Sequence, residues 1–180
     1  MFALRIFGFL PALAILFVSQ IRAADSSDFK PFTSKEGRFT ISFPSKPDES
    51  TRTLKSPSGD MELHIFRAWR STDKELYTLV YKDFPTEAIK STAPDKILDE
   101  AQQGGLAAMD GKLVRKTDVA KTDKAPASRE LELETQGTTE YIRLILVGNR
   151  LYVIIVDASR GADRARKFLD SFKPAADAVK

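Results

Sequence analysis

The chain has 180 residues, with 28 Lys and Arg against 25 Asp and Glu for a formal net charge of +3, one histidine and no cysteine. The lack of cysteine excludes disulfide bonds, thiolate nucleophiles and cysteine-bound metals, and a single histidine excludes a multi-histidine metal site. The nearly balanced charge gives no support to nucleic-acid binding.

Residues 1–23 have the pattern of a secretory signal peptide. Arg5 supplies a positive start, residues 6–18 form an apolar run broken by a proline, and small Ala23 stands before the predicted cleavage point. The alternative is an uncleaved membrane anchor, but the run is shorter than the roughly 20 residues of a spanning helix. We favour cleavage near Ala23, which predicts export to the periplasm or the extracellular space and leaves no membrane span. The mature chain then carries a net charge of only +1, because Arg5 and Arg22 are removed from a total of +3.

The polar residues 24–31 predict a flexible lead-in to a single domain over residues 32–173. Strands are predicted where apolar and polar side chains alternate, most clearly where Phe39, Ile41 and Phe43 alternate with Thr40 and Ser42. The four strands predicted in the first half are residues 38–43, 51–55, 61–69 and 75–82. A turn over residues 56–59 joins the second strand to the third.

A helix is predicted over residues 94–110, where apolar side chains recur at helical spacing between Pro94 and Gly111. Gly104 and Gly105 lie inside it, and each costs up to about 1 kcal/mol relative to alanine. They either allow close packing or break the helix, and we favour a continuous helix. The pair is not a phosphate loop, because the lysine and Ser/Thr of a P-loop and the spacing of a dinucleotide fingerprint are missing.

After Gly111 the alternation returns, and a second helix precedes an alanine-rich tail over residues 174–180. The predicted strands are residues 112–119, 128–135, 139–147 and 150–157. The predicted final helix, residues 161–172, places Ala162, Ala165, Leu169 and Phe172 on one face. Four strands, a helix, four more strands and a helix indicate an α+β protein with a mainly antiparallel sheet.

The stretch VGNRLYVIIVD predicts a tight hairpin, because Gly148 and Asn149 separate two strand-like runs. A two-residue turn there places Leu144 opposite Val153. The preceding connection, QGTT, predicts Leu131 opposite Leu144, with Glu132 opposite Arg143 on the other face. The near-continuous apolar run LYVIIV is typical of a strand covered on both faces and is too short to span a membrane.

Several of these segments together resemble a known family. EGRFTISFPSKP, LYTLVYKDFP, ILDEAQQGGLAAMDGKLV, RELEL, YIRLILVGNRLYVIIV and KFLDSFK occur in this order. The arrangement resembles small secreted bacterial proteins of unknown function related to the PsbP-like fold, which also includes the extrinsic P protein of photosystem II and Ran-binding nuclear-import factors. The resemblance implies an α/β/α sandwich around a central, mainly antiparallel sheet. It implies no catalytic residue, and the characterised relatives mostly act as binding or assembly factors.

Few residues are candidates for chemistry. His64 shares a strand face with Glu62 and Phe66, and it is either a general base or, as we favour, a half-buried strand histidine. The Gly-x-Ser-x-Gly elbow of many hydrolases does not occur in the sequence. The carboxylate pair Asp99-Glu100 is interpreted as helix surface.

Trp69 stands near a strand end between Arg67 and Arg70. Tryptophan and arginine are common in the most strongly contributing parts of protein interfaces, so Trp69 either anchors a partner or is a partly covered strand-end aromatic, which we favour.

We therefore expect a non-enzymatic secreted or periplasmic module that binds a protein partner of the envelope or periplasm or assists assembly, without cofactor, metal or nucleic acid. No catalytic, cofactor-binding or metal-binding residue is assigned. The alternative is a small ligand-binding protein or hydrolase with a pocket between sheet and helix. The first predicts an exposed aromatic and arginine patch and no convergent cluster of titratable groups. The second predicts a deep concave pocket lined by several of His64, Asp, Glu and Ser side chains.

Overall fold

The structure is a computed structural model that describes residues 29–55, 60–71, 74–119, 122, 125–158 and 161–175. The predicted signal segment, the predicted turn over residues 56–59 and residues 176–180 of the tail lie outside the described residues. The strands are β1 (Lys30–Ser34), β2 (Phe39–Phe43), β3 (Asp48–Leu54), β4 (Met61–Arg70), β5 (Glu75–Asp83), β6 (Lys112–Val119), β7 (Ala127–Thr135), β8 (Thr138–Val147), β9 (Arg150–Asp157) and β10 (Lys173–Pro174). The helices are α1 (Thr86–Ser91), α2 (Pro94–Met109) and α3 (Ala162–Asp170).

Seven strands form one large sheet in the order β3-β4-β5-β9-β8-β7-β6, and β1, β2 and β10 form a small one. Every paired strand in both sheets runs antiparallel to its neighbour. The described chain is therefore an α+β fold dominated by antiparallel sheets, as the strand and helix pattern predicts.

The large sheet has an apolar core on each face. One core joins β2 and α3 to the large sheet and includes Phe39, Tyr77 and Phe168. The other lies under α2 and includes Ile97 and Leu144. Strand β9 contributes to both, since Tyr152, Ile154 and Val156 belong to the first core, whereas Leu151, Val153 and Ile155 face the second. The prediction that LYVIIV is covered on both faces is thus confirmed.

The structure also has elements that the sequence analysis missed. Strand β1 includes Lys30 and Pro31, so the predicted lead-in over residues 24–31 is wrong at its end. The short helix α1 follows Pro85 and has no buried residue, which explains why no apolar periodicity revealed it. Helix α3 ends at Asp170, and the fully buried Phe168 lies on its packed face, although the predicted face omitted it.

Helix α2 continues through Gly104 and Gly105 without a break, which confirms the favoured reading. A methyl group added at Gly104 would meet no atom within 4 Å, and at Gly105 its nearest contact would be Met109 at 3.8 Å. Neither glycine is therefore required for close packing.

Gly104→Ala is expected to raise the free energy of unfolding by up to about 1 kcal/mol, because alanine has the higher helix propensity and there is space for its methyl group. Urea unfolding monitored by circular dichroism would measure the change. Gly137→Ala is the contrasting control, since Gly137 has φ +84° and a side chain there is strained. A loss of stability at Gly104 would contradict the helical geometry.

The hairpin between β8 and β9 is confirmed, with Val147 opposite Arg150 and Leu144 opposite Val153 across the Gly148-Asn149 turn. The predicted pairing of β7 with β8 is wrong by two residues. Leu144 faces Arg129, not Leu131, and Arg143 faces Glu130, not Glu132.

The cause of this shift is the position of the preceding turn. It is formed by Gln136 and Gly137, which have φ of 48° and 84°, so both central residues adopt the left-handed conformation of a tight hairpin turn. A shift of two residues keeps each side chain on its predicted face, because strand side chains alternate with a period of two. The shift brings Arg129, on the dry face of β7, next to Leu144.

Candidate functional site

A groove lies where β4 begins and β5 ends, against α1 and the first turns of α2. Its volume is about 610 Å³. Its apolar lining consists of Met61, Phe84, Pro85, Ala88, Ile89 and Ile97. Its charged or titratable lining consists of Asp60, Glu62, His64, Lys82, Asp83 and Glu100. Its position between sheet and helices and its lining, with His64 and several carboxylates, agree with what the alternative function predicted.

The wall formed by α1 is fixed by the β8–β9 hairpin. The Phe84 backbone N–H donates to the Asn149 carbonyl at 2.8 Å, and the Asn149 side-chain amide donates to the Phe84 carbonyl at 3.0 Å. Pro85 prevents β5 from continuing, because proline has no N–H to donate to the neighbouring strand, and α1 begins at the next residue. The Gly148-Asn149 turn therefore joins β8 to β9 and also fixes the junction between β5 and α1.

Lys82 is the groove's only lysine among the lining residues, and its side chain is half-buried. Its ammonium lies 4.6 Å from the centroid of the Phe84 ring. Burial lowers the pKa of Lys82, and the negative charge of Glu100 opposes this shift. Within the part of the chain that the structure describes, no carboxylate pairs with this ammonium. The groove thus contains a partly desolvated cation that makes no ion pair with a carboxylate of the described residues.

The carboxylates of the groove differ in their surroundings. Asp83 is held by Arg150 through two hydrogen bonds of 2.6 Å each, so its charge is neutralised. Hydrogen bonding to Asp83 also raises the pKa of Arg150. Asp60, Glu62 and Glu100 are exposed to solvent at the rim. Water screens those three charges more than it screens Lys82.

His64 lines the groove as a half-buried strand residue. Its ring stacks on Tyr81 with centroids 4.4 Å apart and planes 10° apart. Its Nδ1 lies 3.5 Å from the Thr51 hydroxyl, and its Nε2 lies 3.9 Å from Glu62. The stacked ring shapes the groove wall, whereas both polar contacts are too long to orient the imidazole firmly as a base.

Trp69 lies toward the opposite end of β4 from the groove. Its side chain is 54% exposed, so it is more open than the partly covered aromatic that the sequence analysis favoured. Arg67, on the same face of the strand, is also exposed. The exposed aromatic and arginine patch predicted for a protein-binding module is therefore present, separate from the groove.

Arg129 is a buried charge that the sequence analysis did not single out. It is only 2% exposed and donates to Asp99 at 2.7 Å and Gln102 at 3.0 Å on α2, and to Asp118 at 2.5 Å on β6. Asp99 and Glu100 are both exposed on α2, as their interpretation as helix surface predicts, but Asp99 also binds Arg129 and Glu100 also lines the groove. Arg129 shares the dry face of β7 with Leu131 and Leu133. A charged residue on an otherwise apolar face was the sequence signal that could have identified it.

Two carboxyl groups with raised pKa values lie at the other end of the sheet, where Glu140 stands opposite Asp157. Burial raises the pKa of both groups. For Glu140, a hydrogen bond from Thr135 opposes the shift and the charge of Asp157 adds to it. One oxygen of Asp157 is buried without a hydrogen-bond partner among the described residues.

Glu140→Gln is expected to stabilise the protein at neutral pH but not in acid. Because the folded chain holds the pKa of Glu140 above its ordinary value of 4.5, the free energy of unfolding falls as the pH rises from that value through the folded pKa. Glutamine carries no charge and still accepts the Thr135 hydrogen bond. Urea unfolding at a series of pH values would show that the variant is more stable above this pH window and loses the advantage at about pH 4. Exposed Glu134→Gln is the control, and equal effects of both variants at every pH would contradict the assignment.

The described chain is thus an α+β protein with helices on both faces of a large antiparallel sheet and a groove at one end of it. No family model matches the sequence, and no curated protein matches it significantly. In the described part of the chain, no helix is both long and apolar enough to cross a membrane.

Proposed function

We propose that the protein is an exported, non-catalytic binding module that holds a small molecule in the groove. The observation that carries this proposal is the groove itself. Its volume of about 610 Å³ lies within the roughly 300–1,000 Å³ of small-molecule pockets, and apolar walls with a few placed polar groups are typical of them. The alternative function from the sequence is therefore preferred to the leading one.

Binding is favoured over hydrolysis by the setting of the only histidine. Hydrolytic catalysis by His64 would need a nucleophile and an orienting acceptor on its two ring nitrogens. The Thr51 hydroxyl lies 3.5 Å from Nδ1, and a carboxylate oxygen of the mostly exposed Glu62 side chain lies 3.9 Å from Nε2. Stacking on Tyr81 gives the ring a packing role instead.

The PsbP-like assignment forms part of the same proposal. It is supported by the central antiparallel sheet with α2 on one face and α3 on the other, which is the arrangement that the resemblance implies. Binding and assembly roles of such proteins raise the expectation of a non-enzymatic function, but only by analogy of fold. Export rests on the signal-peptide pattern of residues 1–23.

The test uses an uncharged fluorescent probe, N-phenyl-1-naphthylamine, whose emission rises in apolar sites. The purified protein should bind it at one site per chain. Ala88→Trp should abolish that binding, because exposed Ala88 lines the groove and an indole there would occupy it. Thr86→Trp, also exposed on α1 but outside the lining, is the matched control. Absence of saturable binding, or equal binding by both variants, would overturn the proposal.

A protein partner is the second candidate, because Trp69 and Arg67 are exposed together on β4. Such a partner would come from the envelope or periplasm, where the signal pattern directs the chain. Crosslinking in an envelope fraction should then give a defined adduct that Trp69→Ser removes and Ala88→Trp leaves unchanged. An adduct that is insensitive to Trp69 would exclude this surface.

A further inference from the structure

We propose that the groove selects a singly charged amphipathic carboxylate, such as a medium-chain fatty acid, with its carboxylate on Lys82 and its chain along the apolar wall. The inference rests on the proposed function and adds the chemical class of the ligand. Three features carry it, namely an ammonium without a carboxylate partner among the described residues, the apolar wall beside it and the acidic rim.

The ammonium of Lys82 supplies the recognition of a negative headgroup. It is half-buried, lies over the Phe84 ring and has no carboxylate partner among the described residues. A partly desolvated cation gains most from a ligand anion, because a charge-assisted hydrogen bond is strongest where water is reduced. The lowered pKa of Lys82 reflects the same desolvation, which a bound carboxylate would offset.

The wall next to Lys82 suits a hydrocarbon chain. Ile89 on α1 and Ile97 on α2 line it, and Phe84 connects it to the lysine. Ile97 is 4% exposed and belongs to the core under α2, so this wall is fixed by packing before any ligand binds. Apolar area removed from water here favours binding of the hydrocarbon chain and offsets part of the cost of association.

The rim limits the charge of the ligand. Asp60, Glu62 and Glu100 are exposed around the opening, whereas Asp83 is already neutralised by Arg150. Three negative charges repel phosphates and dicarboxylates more than a single carboxylate, since repulsion scales with the ligand's charge. One cation inside an acidic rim therefore favours a monoanion, with the headgroup inside and no second charge at the opening.

The experiment measures displacement of bound N-phenyl-1-naphthylamine by three ten-carbon competitors, namely decanoate, decanol and decylamine. Decanoate should bind at least about tenfold more tightly than decanol, and decylamine should bind no better than decanol. Lys82→Met should remove the preference for decanoate over decanol, and the remaining binding of decanol would show that the variant keeps its groove. Lys90→Met is the matched control, because Lys90 is exposed on α1, pairs with Glu87 and lies outside the lining.

The outcomes separate the two proposals. Equal displacement by decanoate and decanol, or an undiminished preference in Lys82→Met, would overturn the carboxylate inference while the groove remains a binding site. Tightest binding of decylamine would show that the acidic rim, not Lys82, selects the ligand. If the probe does not bind, and calorimetry shows that decanoate does not bind either, both proposals are overturned.

Discussion

The double substitution Asp99→Ala with Asp118→Ala is expected to lower the free energy of unfolding by about 3–5 kcal/mol, because it leaves the buried guanidinium of Arg129 without a counter-charge. Asp99 and Asp118 accept hydrogen bonds from Arg129 at 2.7 and 2.5 Å. Without them, the Gln102 oxygen would be its only side-chain acceptor among the described residues. Urea unfolding at neutral pH would measure the loss.

Removing the arginine should cost far less than removing its partners. Asp99 and Asp118 have side chains that are 52% and 46% exposed, so water solvates them when Arg129 is replaced. Arg129→Met keeps most of the apolar volume, and adding it to the double variant should recover most of the lost stability. The control is Glu132→Ala, which breaks the more exposed pair with Arg115 on the opposite face of the same two strands and should cost no more than about 1 kcal/mol.

A stability loss in the double variant no greater than that of Glu132→Ala would contradict the buried cluster. So would a triple variant that is no more stable than the double one.

The pKa of Asp118 provides an independent test of the cluster. Burial acts to raise it, but hydrogen bonds from Arg129 and Lys116 outweigh burial and hold it below its ordinary value. The stabilisation from this group is therefore present above the ordinary aspartate pKa and is lost as the pH falls through the lowered value.

The sequence determines most strands of the large sheet because each is marked by local alternation. The β8–β9 pairing was predictable to the residue, since Gly148 and Asn149 define a two-residue turn and a turn fixes the register on both sides of it. The predicted β7–β8 register was wrong because QGTT contains one glycine and allows two positions for the centre of the turn. The turn position depends on the left-handed conformation of Gln136, which residue preferences do not predict.

The groove and the buried arginine could not be derived in this way. The groove depends on α1, a six-residue helix without a buried side chain, and on the long-range bonds between Phe84 and Asn149. The sequence shows Arg129 on the dry face of β7 but not its partners, since β6 and α2 bring Asp118 and Asp99 to it. Both features arise from segments that are distant in sequence, whereas periodicity reports only on neighbours along the chain.

Leu144→Ala is expected to lower the free energy of unfolding by about 2–5 kcal/mol, because it removes a core side chain and leaves a void. Leu144 is 2% exposed in the middle of β8, opposite Val153 on one side and Arg129 on the other. It also borders an apolar cavity of about 140 Å³ under α2, so the new void would join existing space that is poorly placed to collapse. Urea unfolding would measure the loss against Val114→Ala, which truncates a side chain that is 57% exposed on β6 and should change stability by about 0.5 kcal/mol or less. Equal effects of the two substitutions would mean that α2 does not cover this face of the sheet.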